Sequence, residues 1–188
     1  MIRKAIVAAA LGLAVQPLLA QDAAVVAETR QTALQLVTKL GAALKEEIQK
    51  GPDKAIGVCT DIAPREAGAL SRSTGWRITR VSLKVRNPLL GTPDAWETAA
   101  LKDFDKRAAA GEKAGTLEMS EVVNEGGTQY LRYIKALPVQ PICLSCHGSD
   151  ANMTPSVKAK LAAEYPHDKA TGYTEGQVRG GLSVKRQL

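Results

Sequence analysis

The run Pro141-Ile142-Cys143-Leu144-Ser145-Cys146-His147-Gly148 constrains this chain more than any other stretch. Two cysteines and a histidine stand in the order Cys-x-x-Cys-His, the attachment pattern of c-type haem. Residues three and four apart share one face of a helical turn, so Cys143 and Cys146 can each bond a vinyl carbon while His147 lies beneath the iron. The thiols must be reduced when the thioethers form, and the imidazole binds iron as the neutral ring. Two other chemistries use paired cysteines. A redox Cys-x-x-Cys sits beside a strand and a helix and has no need of the histidine, and a zinc site needs a fourth ligand. With three Cys and two His in the whole chain, haem is the reading that uses every part of the motif.

The N-terminus, Met1-Ile2-Arg3-Lys4 followed by an apolar run from Ala5 to Ala20, has the form of a cleavable signal peptide. The run is shorter than the roughly 20 residues of a bilayer span and contains Gln16 and Pro17. The expected division is therefore a leader over residues 1–20 and one domain over 21–188, periplasmic, with no membrane span in the mature form. No Cys follows Ala20, so a lipid anchor is not expected. Export suits a c-type haem, which in bacteria is attached outside the cytoplasm. Lys and Arg number 25 against 19 Asp and Glu, and two of the 25, Arg3 and Lys4, fall in the leader. The excess is mild and scattered, without a basic stripe interleaved with aromatics, so it reads as solvated surface and not as a nucleic-acid interface. Aromatic residues make up only 4% of the chain, with Phe104 the single Phe, and a haem edge would supply apolar volume that the sequence lacks.

From Asp22 to Lys50 apolar residues recur at helical steps, among them Ala33, Leu34, Val37, Leu40, Leu44 and Ile48, which predicts one long amphipathic helix stopped by Gly51-Pro52. Such a helix packs on its own core or pairs with a second copy in a homodimer. Asp53–Pro64 predicts a short helix carrying Cys59, and Arg65–Thr74 a second piece. Alternation over Trp76–Arg86 predicts a strand. Thr92 or Asp94 can cap a helix over Ala95–Ala110, with Trp96, Leu101 and Phe104 on its packed face. Two strands, Leu117–Val123 and Gln129–Ala136, flank the turn Asn124-Glu125-Gly126-Gly127. A helix over Thr154–Glu164 and a last strand over Val178–Lys185 complete the reading, which is of the α+β class.

Cys59 is the odd cysteine. With the other two consumed by haem it has no intramolecular disulfide partner. Two readings stand: an inert buried thiol packed as a small hydrophobe, or a thiolate that is the second axial ligand. Met119, Met153 and His167 are the other candidates for that position. Arg77, Lys84 and Arg86 are candidate partners for haem propionates.

Across most of its expected mature length the chain resembles the Tll0287-like haem-domain family. The resemblance is carried by Gly57-Val58-Cys59, by Val81 to Pro88 with Pro93-Asp94-Ala95-Trp96-Glu97, by Pro141 to Gly148, and by Tyr165-Pro166 through Gly172-Tyr173, Gly176 and Arg179-Gly180. It implies a PAS-like fold, an antiparallel sheet flanked by helices with a long N-terminal helix and one covalently held haem c per chain. It also implies iron ligation by Cys59 and His147. Two functions from different classes follow. One is an exported sensor of redox state or of a small diatomic ligand, working through a signalling partner. The other is an electron carrier passing single electrons between protein partners. No distal acid–base pair for an enzyme is visible in the sequence.

Overall fold

The computed structural model describes residues 16–188. The expected leader lies outside the described residues as far as residue 15. Helix α1 spans Gln16–Gln49, beginning earlier than the periodicity suggests. It is followed by a turn, a five-residue π-helix at Val58–Ile62, and α2 at Ala63–Thr74. The Ala63 N–H bonds the Val58 carbonyl, so the backbone is wound one residue wide at Cys59 and then tightens into α2. Gly75 in the left-handed region ends α2.

Strand β1 covers only Arg77–Val81, half of the stretch that alternation predicts. The chain bends at Ser82, where the backbone N–H leaves the ladder for the Gly91 carbonyl (3.1 Å) and the Oγ donates to the carbonyl of Arg179 on the C-terminal strand (2.8 Å). A single helical turn, α3 at Pro88–Gly91, and α4 at Ala95–Ala109 come next. The cap of α4 is Asp94 and not Thr92. Its carboxylate accepts from the Glu97 N–H (2.8 Å), and the Glu97 carboxylate accepts from the Asp94 N–H (2.8 Å), a closed capping box. Strands β2 (Glu118–Glu125) and β3 (Thr128–Pro138) form the expected hairpin, with Gly126 and Gly127 both at positive φ in its turn. The Cys-x-x-Cys-His segment follows as a 3-10 turn, Pro141–Cys143, and the short α5, Leu144–His147. Thr154 caps α6 at Pro155–Glu164, and β4 at Val178–Gln187 closes the chain.

The sheet is antiparallel in the order β1-β4-β3-β2, so the C-terminal strand lies inside it. Both faces are covered. On one, α4 packs Ala100, Leu101 and Phe104 against Val81, Ile134, Ala136 and Val178. On the other, Ala33 and Leu36 of α1 meet Ile78, Tyr133, Leu182 and Val184, joined by Leu70 of α2 and Trp76. Ile134 and Tyr133, adjacent on β3, serve opposite faces, as the two-residue period requires. Each fully buried aliphatic side chain of this size contributes roughly 1.5–3 kcal/mol, and the two faces together hold the sheet. Trp96, Leu101 and Phe104 line the packed side of α4 as expected. No described helix is long and apolar enough to cross a membrane.

Two smaller clusters secure the Cys-x-x-Cys-His turn at the edge of this body. Cys146 packs with Ile56, Val157, Leu161 and Tyr165, and Cys143 with Val139, Ala170 and Tyr173. The turn is thereby wedged between the segment before Cys59, α6 and the loop leading to β4.

Candidate functional site

Cys143, Cys146 and His147 lie within two consecutive helical turns, all partly buried, and the described residues contain no disulfide. The Cys143 sulfur accepts from the Gln140 N–H (3.4 Å), and the Cys146 sulfur lies 3.9 Å from the Pro52 carbonyl. Burial pushes the Cys146 thiol above its usual range, a neighbouring Ser145 hydroxyl and Arg86 opposing weakly, so it stays protonated near neutrality. Gly148 follows because nothing larger fits: a Cβ there would stand 2.6 Å from the Leu144 carbonyl oxygen and 2.6 Å from Asn152 Oδ1.

The His147 ring is oriented by its surroundings. Nδ1 lies 2.7 Å from the Ala170 carbonyl, an acceptor, so Nδ1 carries the proton and Nε2 keeps its lone pair. Burial, then the charges of Arg179 and Arg86, hold the imidazole pKa well below the ordinary value, so the ring is neutral. Tyr173 meets it edge to face at 6.3 Å between centroids. Nδ1 donating to a carbonyl with Nε2 exposed to a partner is the arrangement of a metal-binding imidazole.

The Ala170 carbonyl is itself fixed. Asp168 accepts from the Ala170 N–H (2.7 Å) through Oδ1 and from Arg86 Nε (2.9 Å) through Oδ2. Arg86 also donates to the Cys146 carbonyl (2.6 Å). One buried ion pair, with side chains 7% and 10% exposed, thus ties the segment after β1 to both the Cys-x-x-Cys-His turn and the loop that orients His147. The backbone repeats the link: Gly172 N–H bonds the Gly148 carbonyl (2.7 Å), and Tyr173 N–H that of His147 (2.9 Å).

His147 faces a cavity of about 360 Å³, within the size range of small-molecule and cofactor sites. Cys59 lines the same cavity, brought there by the wide π turn, together with Pro64, Ala67, Val85, Leu90, Leu137 and Tyr165. Arg80, Arg86 and Arg179 contribute the polar part of its wall. Gly180 lies against the β1 backbone, where a Cβ would collide with the Val81 carbonyl oxygen. A second cavity of about 720 Å³, lined by Lys84, Asp105, Lys113 and Tyr173, adjoins the first through Ser82, Arg179 and Gly180.

The structure brings the four singled-out residues, Cys59, Cys143, Cys146 and His147, to one end of the sheet. None of the other ligand candidates lines this cavity: Met119 packs on the α4 face, Met153 joins the cluster that holds Cys146, and His167 is exposed. Of the three suggested propionate partners, Arg86 alone lines this cavity. Arg77 stands 3.8 Å from both Asp94 and Glu97, at the head of α4. Lys84 donates to the Thr171 carbonyl and lies over the Tyr173 ring. Arg86 reaches the cavity but is committed to Asp168. Sequence reasoning did not single out Arg80, and it took Arg179 only as part of the family resemblance; a basic residue on a predicted strand reads as solvent-facing.

No group of three or more His, Cys, Asp or Glu able to hold a metal ion occurs among the described residues. The residues fit a haem: two thiols and a neutral imidazole on one turn, a cavity beneath that imidazole, and a third thiol in its wall.

The Tll0287-like family model matches residues 15–186. Among solved structures, the crystal structure of the cyanobacterial heme-protein Tll0287 resembles this fold with a TM-score of 0.65 at 23% identity, covering 86% of this chain and 96% of that one. No curated protein matches the chain.

Proposed function

Because the chain belongs to the Tll0287-like family, we propose that it is an exported mono-haem c-type cytochrome of PAS-like fold that senses redox state or a small diatomic ligand. The observation that carries this reading is the shared cavity of Cys59 and His147, the latter being the residue that the Cys-x-x-Cys-His turn contributes to its lining. Haem binding is also in keeping with the similar solved structure, which is that of a heme-protein. In the proposed site Cys143 and Cys146 would hold the haem through thioethers, and His147 Nε2 and Cys59 would be the groups offered to its iron.

When bound, the haem supplies a one-electron centre whose iron takes axial ligands. The protein residues do the rest. Ala170 keeps the His147 proton on Nδ1, leaving Nε2 available. Cys59 as thiolate favours the ferric state and a low potential. Cys59 sits on a π turn, a wide winding that can close by one residue, so its segment is suited to two positions. Retention or release of Cys59 with oxidation state is the proposed signal, read by a protein partner. The electron-carrier reading differs at one point, in that both axial residues stay in place at every potential.

Spectra and midpoint potentials of the matured protein, with and without CO, separate the two. A sensor binds CO when reduced and loses the thiolate signature; a carrier refuses CO at all potentials. Cys59→Ser should change the ferric spectrum and raise the midpoint potential, and an unchanged ferric spectrum would remove Cys59 from the iron.

A further inference from the structure

Three guanidinium groups, those of Arg80, Arg86 and Arg179, line the cavity shared by Cys59 and His147, and no Asp or Glu lines it. Buried guanidiniums are ordinarily matched by carboxylate or phosphate, since an unpaired charge away from water is unfavourable. Arg86 has its match in Asp168, whose two oxygens are taken by Arg86 and the Ala170 N–H. The other two have none among the described residues. Arg179 is bonded only to neutral groups, the Ser82 hydroxyl (2.8 Å) and the Lys84 carbonyl (3.3 Å). Its Nε stands 3.2 Å and 3.4 Å from the two ring nitrogens of His147. Nδ1 already donates, so only Nε2 has a lone pair to offer it. The Arg80 side chain, half-buried, makes no hydrogen bond or ion pair among the described residues.

On the haem reading Nε2 is needed by iron, so Arg179 has to give up that contact and turn to another acceptor in the same buried wall. The cavity is left with two cations seeking anions. A haem has two propionate carboxylates, and a guanidinium fork receives a carboxylate through two parallel bonds. We propose that Arg80 and Arg179 hold the two haem propionates, one each, in place of the Arg77, Lys84 and Arg86 that the sequence alone points to. This inference rests on the haem reading and specifies its polar end.

The test uses full-length chain matured with its haem, in wild type, Arg80→Gln, Arg179→Gln, Arg179→Lys and, as control, Arg77→Gln. Covalent haem is read by mass and by the absorption spectrum, and the propionates by their bending bands in resonance Raman spectra. Arg80→Gln and Arg179→Gln should each keep the covalent haem and shift one propionate band, with a fall in midpoint potential as a compensating cation is lost. Arg179→Lys should give a smaller shift, and Arg77→Gln none. Should Arg179→Gln not fold, the shift in Arg80→Gln and the partial shift in Arg179→Lys still decide. Unmoved bands in haem-loaded Arg80 and Arg179 variants overturn the assignment while leaving the haem reading intact. A change confined to the axial-ligand absorption of Arg179→Gln would likewise overturn it, making Arg179 a positioning residue for His147. Wild-type protein without covalent haem would overturn both.

Discussion

Asp168 illustrates how one carboxylate fixes a site it does not line. It holds Arg86 on one oxygen and the Ala170 N–H on the other, and through them the Cys146 carbonyl and the His147 ring. Asp168→Asn keeps the shape and removes the charge, leaving the Arg86 guanidinium buried without an anion. Loss of one partner of a buried pair destabilises by about 3 kcal/mol, which urea unfolding of the variant should show as a lower midpoint at unchanged slope. A loss under about 1 kcal/mol would mean that the pair is solvated and does not organise the turn. His167, the neighbouring residue and one of the ligand candidates, is exposed.

Among the elements, α4 depends most on a single residue. Asp94 closes its capping box and also takes the Arg132 guanidinium at 2.6 Å, while Glu97, fully buried, accepts from Ser183 of β4 at 2.7 Å. The head of α4 is thus bonded to the two inner strands, β3 and β4. Asp94→Ala should cost about 2 kcal/mol, combining a lost cap of about 1 kcal/mol with a weakened Arg132. Asp94→Asn preserves the cap and should fall between the Ala variant and wild type; equal effects would assign the whole contribution to charge. The sequence offered Thr92 or Asp94 as the cap, and the structure selects Asp94, whose two bonds join residues three apart. Arg132 was not visible in the sequence as a partner, since it arrives from β3.

For the molecule as a whole, acid stability turns on carboxylates that link elements. Burial pushes Glu118 up, but hydrogen bonds from Arg30 of α1 and Tyr133 of β3 outweigh it and leave its pKa below the ordinary 4.5. Asp94 follows the same pattern below its ordinary 3.8, with burial opposed by the Glu97 N–H and Arg132. A carboxylate with a depressed folded pKa contributes stability that is complete above the unfolded value and disappears as pH falls through the folded one. The urea midpoint should therefore hold nearly level from pH 7 to about pH 5 and drop below that. Glu118→Gln should show a shallower acid limb, and a limb as steep as wild type would exclude the α1–β2 link as a contributor.

What the sequence alone determined were the features made by residues close in the chain: the Cys-x-x-Cys-His turn, a helix capped at Thr92 or Asp94, the Gly126-Gly127 hairpin, and the apolar period of α1. Each rests on contacts within a few residues, where backbone geometry leaves few alternatives. Local winding misled only where a distant group intervened, as when the Ser82 N–H turned to the Gly91 carbonyl and β1 ended early. The insertion of β4 between β1 and β3, the arrival of Cys59 and His147 at one cavity, and the gathering of Arg80 and Arg179 in its wall were decided only by the tertiary structure. These depend on which apolar faces pack together, a sum over many weak contacts distant along the chain that no short window of residues contains.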